Sequence, residues 1–187
     1  MIMKIEKTAL EGVMIIEPDV FTDERGYFFE SFQEKRYQEA LGITDRFVQD
    51  NVSLSQKGVL RGLHYQAPPF AQGKLVQVLK GRVLDVAVDI RSGSPTYGKH
   101  VMVELSSDNH KQFFIPAGFA HGFLTLEDDT IFTYKCTNVY SREHDRGILW
   151  NDPSLGIDWG NDAPMVSEKD QKHPLFGDIE QEFFLKS

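Results

Sequence analysis

Arg82-Val83-Leu84-Asp85-Val86-Ala87-Val88-Asp89-Ile90 alternates with the period of a β-strand: Leu84, Val86, Val88 and Ile90 take one face, Val83, Asp85, Ala87 and Asp89 the other. The two faces must meet different environments, and two carboxylates on one of them ask for polar partners inside the protein. Outward from this stretch, further short strands are predicted at Val13–Glu17, Tyr27–Phe32, Phe47–Leu54, Val59–Gln66, Lys74–Leu79, His100–Leu105, Gln112–Ile115, Gly122–Leu126 and Ile131–Tyr140. Gly, Pro, Asn or Asp bounds each of them, which is the rhythm of an all-β sandwich or barrel. Hairpins are expected at Lys80-Gly81-Arg82 and Ser92-Gly93-Ser94-Pro95. Helix is the minority: Gln33 to Leu41 ends at Gly42, and Ser167-Glu168-Lys169-Asp170 has the form of a capping box opening a turn.

The chain of 187 residues is the size of one domain, with no repeat and no linker composition to divide it. Twenty Lys and Arg against twenty-eight Asp and Glu leave a net charge of −8, so the protein as a whole repels nucleic acid and anionic membranes. An anionic ligand must find a locally basic pocket. The one cysteine, Cys136, excludes an internal disulfide framework and a multi-cysteine zinc site. A reducing compartment fits, and with no apolar run of membrane length and early charges at Lys4, Glu6 and Lys7, a cytoplasmic protein is expected. The architecture expected is a jelly roll, or double-stranded β-helix, with few short helices and a tail from Asp145 to Ser187 packed over the barrel.

Ile115-Pro116-Ala117-Gly118-Phe119-Ala120-His121-Gly122-Phe123 resembles the second motif of the cupin superfamily. The metal-binding first motif of that superfamily has no counterpart: its place reads Arg61-Gly62-Leu63-His64-Tyr65-Gln66, with one histidine and no acid at the expected spacing. No metal site is therefore expected. Arg61 and His64 fall on opposite faces of a regular strand and share a site only if Gly62 makes a bulge. Lys74 is expected on the strand beside them.

An ordered series of motifs then resembles the dTDP-4-dehydrorhamnose 3,5-epimerase family. It comprises Pro18-x-Val20-Phe21-x-Asp23-x-Arg25-Gly26-x-Phe28-x-Glu30, Val48-Gln49-Asp50-Asn51, Leu60-Arg61-Gly62-Leu63-His64 and Gln72-Gly73-Lys74. It continues through the cupin-like motif to Tyr134-Lys135-x-Thr137-Asn138-x-Tyr140, Ile148-Leu149-Trp150-Asn151-Asp152-Pro153 and Ser167-x-Lys169-Asp170. The resemblance runs from about residue 4 to 176, and a series this long in constant order is far more specific than one short motif.

The resemblance implies a single cupin-like domain over residues 1–187. It also implies a homodimer whose N-terminal strands, within residues 1–45, cross to the partner. It implies epimerisation at carbons 3 and 5 of dTDP-4-dehydro-6-deoxy-D-glucose, yielding dTDP-4-dehydro-L-rhamnose without metal or organic cofactor. Both carbons flank a ketone, so a base, an acid and a partner for the enolate oxygen suffice. By the family's pattern His64 is the base, Asp170 its orienting partner, Tyr134 the acid and Lys74 the enolate partner. Arg25, Arg61 and Lys169 match diphosphate positions; Glu30, Gln49 and Asn51 match nucleotide contacts; Phe28 and Tyr140 offer stacking faces. His121 lines the sugar site, Asp145 matches an acidic substrate contact, and Asp85 faces inward where it can orient a histidine or lysine.

Each role has a plainer counterpart. Asp170 completes a capping box, Tyr134 sits in the apolar run Phe132-x-Tyr134, Lys74 follows a turn, and Asp145 lies in a charged loop. The alternatives to a 3,5-epimerase are a single-site epimerase on a related ketosugar, a silent sugar-nucleotide-binding cupin, and a metal-dependent cupin oxygenase.

Overall fold

The computed structural model describes residues 3–185. Its strands, in chain order, are β1 (Met3–Lys7), β2 (Met14–Pro18), β3 (Phe21–Asp23), β4 (Gly26–Phe28), β5 (Gln49–Ser55), β6 (Val59–Gln66) and β7 (Lys74–Lys80). They continue with β8 (Arg82–Asp89), β9 (His100–Ser106), β10 (Gln112–Ile115), β11 (Phe119–Thr125), β12 (Thr130–Cys136), β13 (Asp145–Gly147) and β14 (Met165–Val166). One α-helix, α1 (Glu34–Leu41), is capped as its sequence demands: the Gln33 side chain accepts the Arg36 N–H, and Gly42 closes it at φ 67°. No helix among the described residues is long and apolar enough to cross a membrane.

Two sheets face each other in a jelly roll. The first has the order β1-β2-β10-β7-β12-β5, the second β13-β6-β11-β8-β9 with β14 added to β6. Between them lies one core that includes Val76, Val78, Val83, Ala87, Phe113, Phe123 and Phe132. The alternation of β8 explains both faces: Val83 and Ala87 enter this inner core, while Val86, Val88 and Ile90 point outward. That outward face packs under the chain's own tail, with Ile148, Leu155 and Trp159 buried on it. The outer face of the first sheet is covered instead by α1 through Tyr37 and Leu41.

Lys80-Gly81-Arg82 is not a hairpin. It carries the chain from β7 in the first sheet to β8 in the second, which is how a two-residue-period pattern continues while the strand changes layers. Ser92 to Pro95 does lie in the connection between the paired strands β8 and β9. The strand expected over Tyr27–Phe32 is shorter, since β4 stops at Phe28 and pairs only with β3 in a separate ribbon. Likewise β12 ends at Cys136 rather than Tyr140.

Gly62 makes the bulge. His121 pairs with His64 and Phe123 with Arg61, so two residues of β6, Gly62 and Leu63, oppose the single Gly122 of β11. The extra residue turns Arg61 and His64 to the same inner face, while Leu63 goes outward to the tail. Two backbones meet here: a Cβ at position 62 would stand 2.5 Å from the Gly122 Cα, on a residue whose φ is +130°. Gly26 has a comparable φ of +124° but no neighbour within 4 Å of its missing Cβ. Gly26→Ala should therefore cost only the backbone term of about 1–2 kcal/mol in urea unfolding. Gly62→Ala should cost clearly more, with loss of activity, and equal midpoints for the two variants would contradict this account of the bulge.

Candidate active site

The barrel opens on a cavity of about 540 Å³ lined by Arg61, His64, Lys74, His121, Tyr134 and Asp170, among others. A second compartment of about 330 Å³ shares His64, Lys74, Tyr134 and Lys169 with it, and adds Gln49, Asn51, Tyr140 and Asp145. Sharing these four residues, the two form one continuous site.

Strand register places the residues. On the first sheet β12 lies between β5 and β7, so Tyr134 stands between Asn51 and Val76, and Cys136 between Gln49 and Lys74. Residues two apart share a face, and Gln49, Asn51, Lys74 and Tyr134 accordingly point together into the cavity. On the second sheet His64 is flanked by His121 on β11 and Gly147 on β13. His64 and Tyr134 thus come from opposing sheets, with the cavity between them. Lys74 was expected beside His64; it lies on the facing sheet next to Tyr134, because β6 and β7 belong to different layers.

His64 Nε2 meets Asp170 Oδ1 at 2.7 Å, and the Gly62 N–H donates to Asp170 Oδ2 at 3.2 Å. The carboxylate selects the tautomer with hydrogen on Nε2, leaving Nδ1 basic. Burial pushes His64 down from its ordinary value, against the upward pull of Asp170. Burial alone would raise Asp170, yet the imidazoles of His173 and His64 and the Gly62 N–H outweigh it and hold the carboxyl well below the usual range. The capping-box reading holds only in its first half: Ser167 Oγ accepts the Asp170 N–H, while the Asp170 carboxylate turns to the barrel.

Burial lowers Lys74 and raises Tyr134. An ammonium so poorly compensated gains most from a negative charge forming beside it, and a phenol so held stays protonated until it donates. Asp85 is fully buried and binds His121 Nε2 at 2.9 Å, and burial raises its carboxyl. Inward orientation of a histidine by Asp85 is therefore what the structure contains.

At the open end Gln49 Oε1 accepts the Tyr140 N–H at 2.8 Å, and Gln49 Nε2 donates to Asn51 Oδ1. Asp145 is not a solvated loop residue; it accepts from the Tyr140 hydroxyl and from Lys169. Arg61, Lys74 and Lys169 place three basic side chains on the cavity wall of an otherwise acidic chain. Arg25, Phe28 and Glu30 are not brought to this cavity within the chain: Arg25 pairs with Asp23 on the exposed β3–β4 ribbon, Phe28 is exposed, and Glu30 pairs with Arg36. That ribbon pairs with neither sheet, so nothing folds it back over the cavity.

Ser53, Gln66, Gln72 and His173 also stand at or beside the cavity, although the sequence assigns none of them a site role. Ser53 lines the cavity with an unpartnered hydroxyl, and its alternation with Val52 and Leu54 on β5 was the available clue. His64, Asp170 and His173 each offer one donor atom within 4.8 Å of the others, the one such trio among the described residues. Asp170 Oδ1 is, however, already engaged by His64.

A two-sheet barrel whose cavity is lined by an imidazole, a phenol and a buried amine is a small jelly roll carrying groups of the kind that move protons. The model of the dTDP-4-dehydrorhamnose 3,5-epimerase family matches residues 7–178. The chain is 54% identical over 178 residues to the dTDP-4-dehydrorhamnose 3,5-epimerase of Shigella flexneri, covering 95% of this chain and 98% of that one. It is 56% identical over 168 residues to the Methanothermobacter thermautotrophicus enzyme of the same name, covering 88% and 90%. A crystal structure of the dTDP-6-deoxy-D-glucose-3,5-epimerase of Legionella pneumophila, in complex with dTDP-4-keto-L-rhamnose, superposes with a TM-score of 0.95. That match is at 53% identity over 99% of this chain and 100% of the other. The chain belongs to the dTDP-4-dehydrorhamnose 3,5-epimerase family and is an isomerase.

Acid should weaken the protein in two steps. His64 is depressed, so the unfolded chain binds a proton more readily and stability falls as pH drops through the unfolded value of about 6.5. Asp170 is also depressed, and its contribution, complete above the unfolded value of about 3.9, is lost as pH falls further. Urea midpoints from pH 8 to 3 should show both limbs in the wild type. Asp170→Asn should flatten the lower one, and an unchanged lower limb would contradict the assigned coupling.

Proposed function

We propose that the chain epimerises carbons 3 and 5 of dTDP-4-dehydro-6-deoxy-D-glucose through His64 as base and Tyr134 as acid, on the way to dTDP-L-rhamnose. The observation that carries the assignment is the opposition of these two groups across one cavity. A proton lost to one face of a sugar ring must return from the other for inversion to occur, and here the two faces look at different sheets.

His64 Nδ1 takes the proton from the carbon beside the ketone as the imidazolium forms against Asp170. The electron pair left on carbon moves into the enolate, whose oxygen is met by the Lys74 ammonium. Tyr134 donates a proton to the opposite face, and the enolate electrons return to form the new C–H bond. Solvent then resets both groups, removing the proton from His64 and restoring one to Tyr134. His121, held by Asp85, borders the sugar. Arg61 and Lys169 take the diphosphate, and Gln49, Asn51 and Tyr140 the nucleoside, with Asp145 fixing Tyr140 and Lys169.

The protein acts as a homodimer in the cytoplasm. The β3–β4 ribbon carries Arg25 and Phe28 away from the body, with Glu30 just beyond it; in a dimer that exchanges these strands they complete the neighbour's nucleotide site. The uncovered edge strand β5, with Val52 and Leu54 exposed, suits such an addition.

His64→Ala should abolish substrate proton exchange, by about 10³-fold or more, and leave dTDP affinity near wild type. Loss of dTDP binding as well would demote His64 to a structural residue. Tyr134→Phe removes a donor at almost constant volume and should slow epimerisation by about 10²-fold or more. A wild-type rate in that variant would assign the acid elsewhere.

A further inference from the structure

His173 belongs to none of the motifs that carry the family resemblance. It closes the 3-10 turn Asp170–Lys172, where the backbone leaves the turn at φ −63° and ψ 149°. Its ring lies over Gly147, where a Cβ would fall 2.3 Å from His173 Nε2 and 2.5 Å from Cε1. Gly147 is the register partner of His64. The missing side chain is thus the hollow that admits a second imidazole beside the base, and the two rings meet edge-on with centroids 5.7 Å apart.

His173 Nε2 is buried without a hydrogen-bond partner. Asp170 Oδ1 lies 3.5 Å from it, beyond a formed hydrogen bond but close enough for strong attraction, and this is the oxygen that holds His64 at 2.7 Å. The other oxygen is occupied by the Gly62 N–H. Two imidazoles therefore face one carboxylate oxygen.

We propose that His173 is a positioning residue for the proton transfer, one that shares Asp170 Oδ1 with His64, weakens that carboxylate's pull on an imidazolium and so keeps the base neutral. The inference rests on His64 being the base. A carboxylate drawn toward two N–H groups stabilises an imidazolium less than one drawn toward a single group. The other charged or titratable groups around His64 are Lys74 from β7, Tyr134 from β12, His121 from β11, Asp145 from β13 with Tyr140 before it, Arg61 and Tyr65 on its own strand and Lys169 before the turn. All remain when His173 is changed.

The test is solvent-deuterium uptake into dTDP-4-dehydro-6-deoxy-D-glucose from pH 5 to 9, for wild type, His173→Phe, His173→Leu and His173→Gln. Phenylalanine and leucine keep an apolar body over Gly147 and remove the donor; glutamine restores an N–H at a similar reach. In the Phe and Leu variants the acid limb of kcat/KM should move to higher pH. Uptake at pH 6 should fall about three- to ten-fold, the reach of a shift of half to one unit, while rates at pH 8.5 converge on wild type. Glutamine should return the limb toward wild type, and dTDP affinity should be the same in all four. Phe and Leu profiles that overlay the wild type overturn the proposal, as does a uniform loss at every pH that glutamine does not rescue. Wild-type protein without uptake at any pH would contradict the catalytic assignment beneath it.

Discussion

A carboxylate at 3% exposure, Asp170, ties the tail to the barrel at the place where β6 is irregular. Gly62 is the residue that the bulge adds to β6, and its N–H meets Asp170 instead of the neighbouring strand, while His64 takes the other oxygen. The bulge, the orientation of His64 and the docking of the tail are therefore one event. Without the extra residue Arg61 and His64 would point to opposite faces; without the tail the imidazole would lack its orienting anion and the apolar outer face of the second sheet would be bare.

The electrostatics follow from the same enclosure. Net charge is −8, yet Arg61, Lys74 and Lys169 gather around the cavity. Burial favours the neutral form of His64 and the protonated form of Tyr134, the states a base and an acid need before reaction. It also lowers Lys74, so in the proposed mechanism negative charge arriving on a ketone oxygen stabilises the ammonium that burial disfavours. The proposed chemistry draws on residues from both sheets, which is why a closed sandwich suits it better than a single sheet would.

Much of this was legible in the residues. The alternation in Arg82–Ile90 named the inner and outer faces of β8 correctly, and Gly62 could be read as a bulge because only that geometry reconciled Arg61 with His64. The passage of Lys80-Gly81-Arg82 from one layer to the other was not legible, since a crossing and a hairpin use the same turn residues. For the same reason Lys74 was expected beside His64 rather than opposite it. A solvated loop competed with a substrate contact as the reading of Asp145 because Arg142, Glu143, His144 and Arg146 surround it in sequence, whereas the fold pairs it with Tyr140 five residues before it and with Lys169 from the tail. His173 was invisible because its site depends on the absence of a side chain at Gly147, a relation that only the fold brings together.

The central claim is that one cavity holds a base and an acid on opposite faces of a ketosugar and needs nothing else to exchange protons beside the carbonyl. NMR of dTDP-4-dehydro-6-deoxy-D-glucose incubated with the protein in heavy water, without added metal or nicotinamide, tests it directly. Deuterium should enter at both carbon 3 and carbon 5, with the L-configured product trapped by a rhamnose-forming reductase. Incorporation at one carbon alone would mark a single-site epimerase, and none at either, from folded protein that still binds dTDP, would contradict the account.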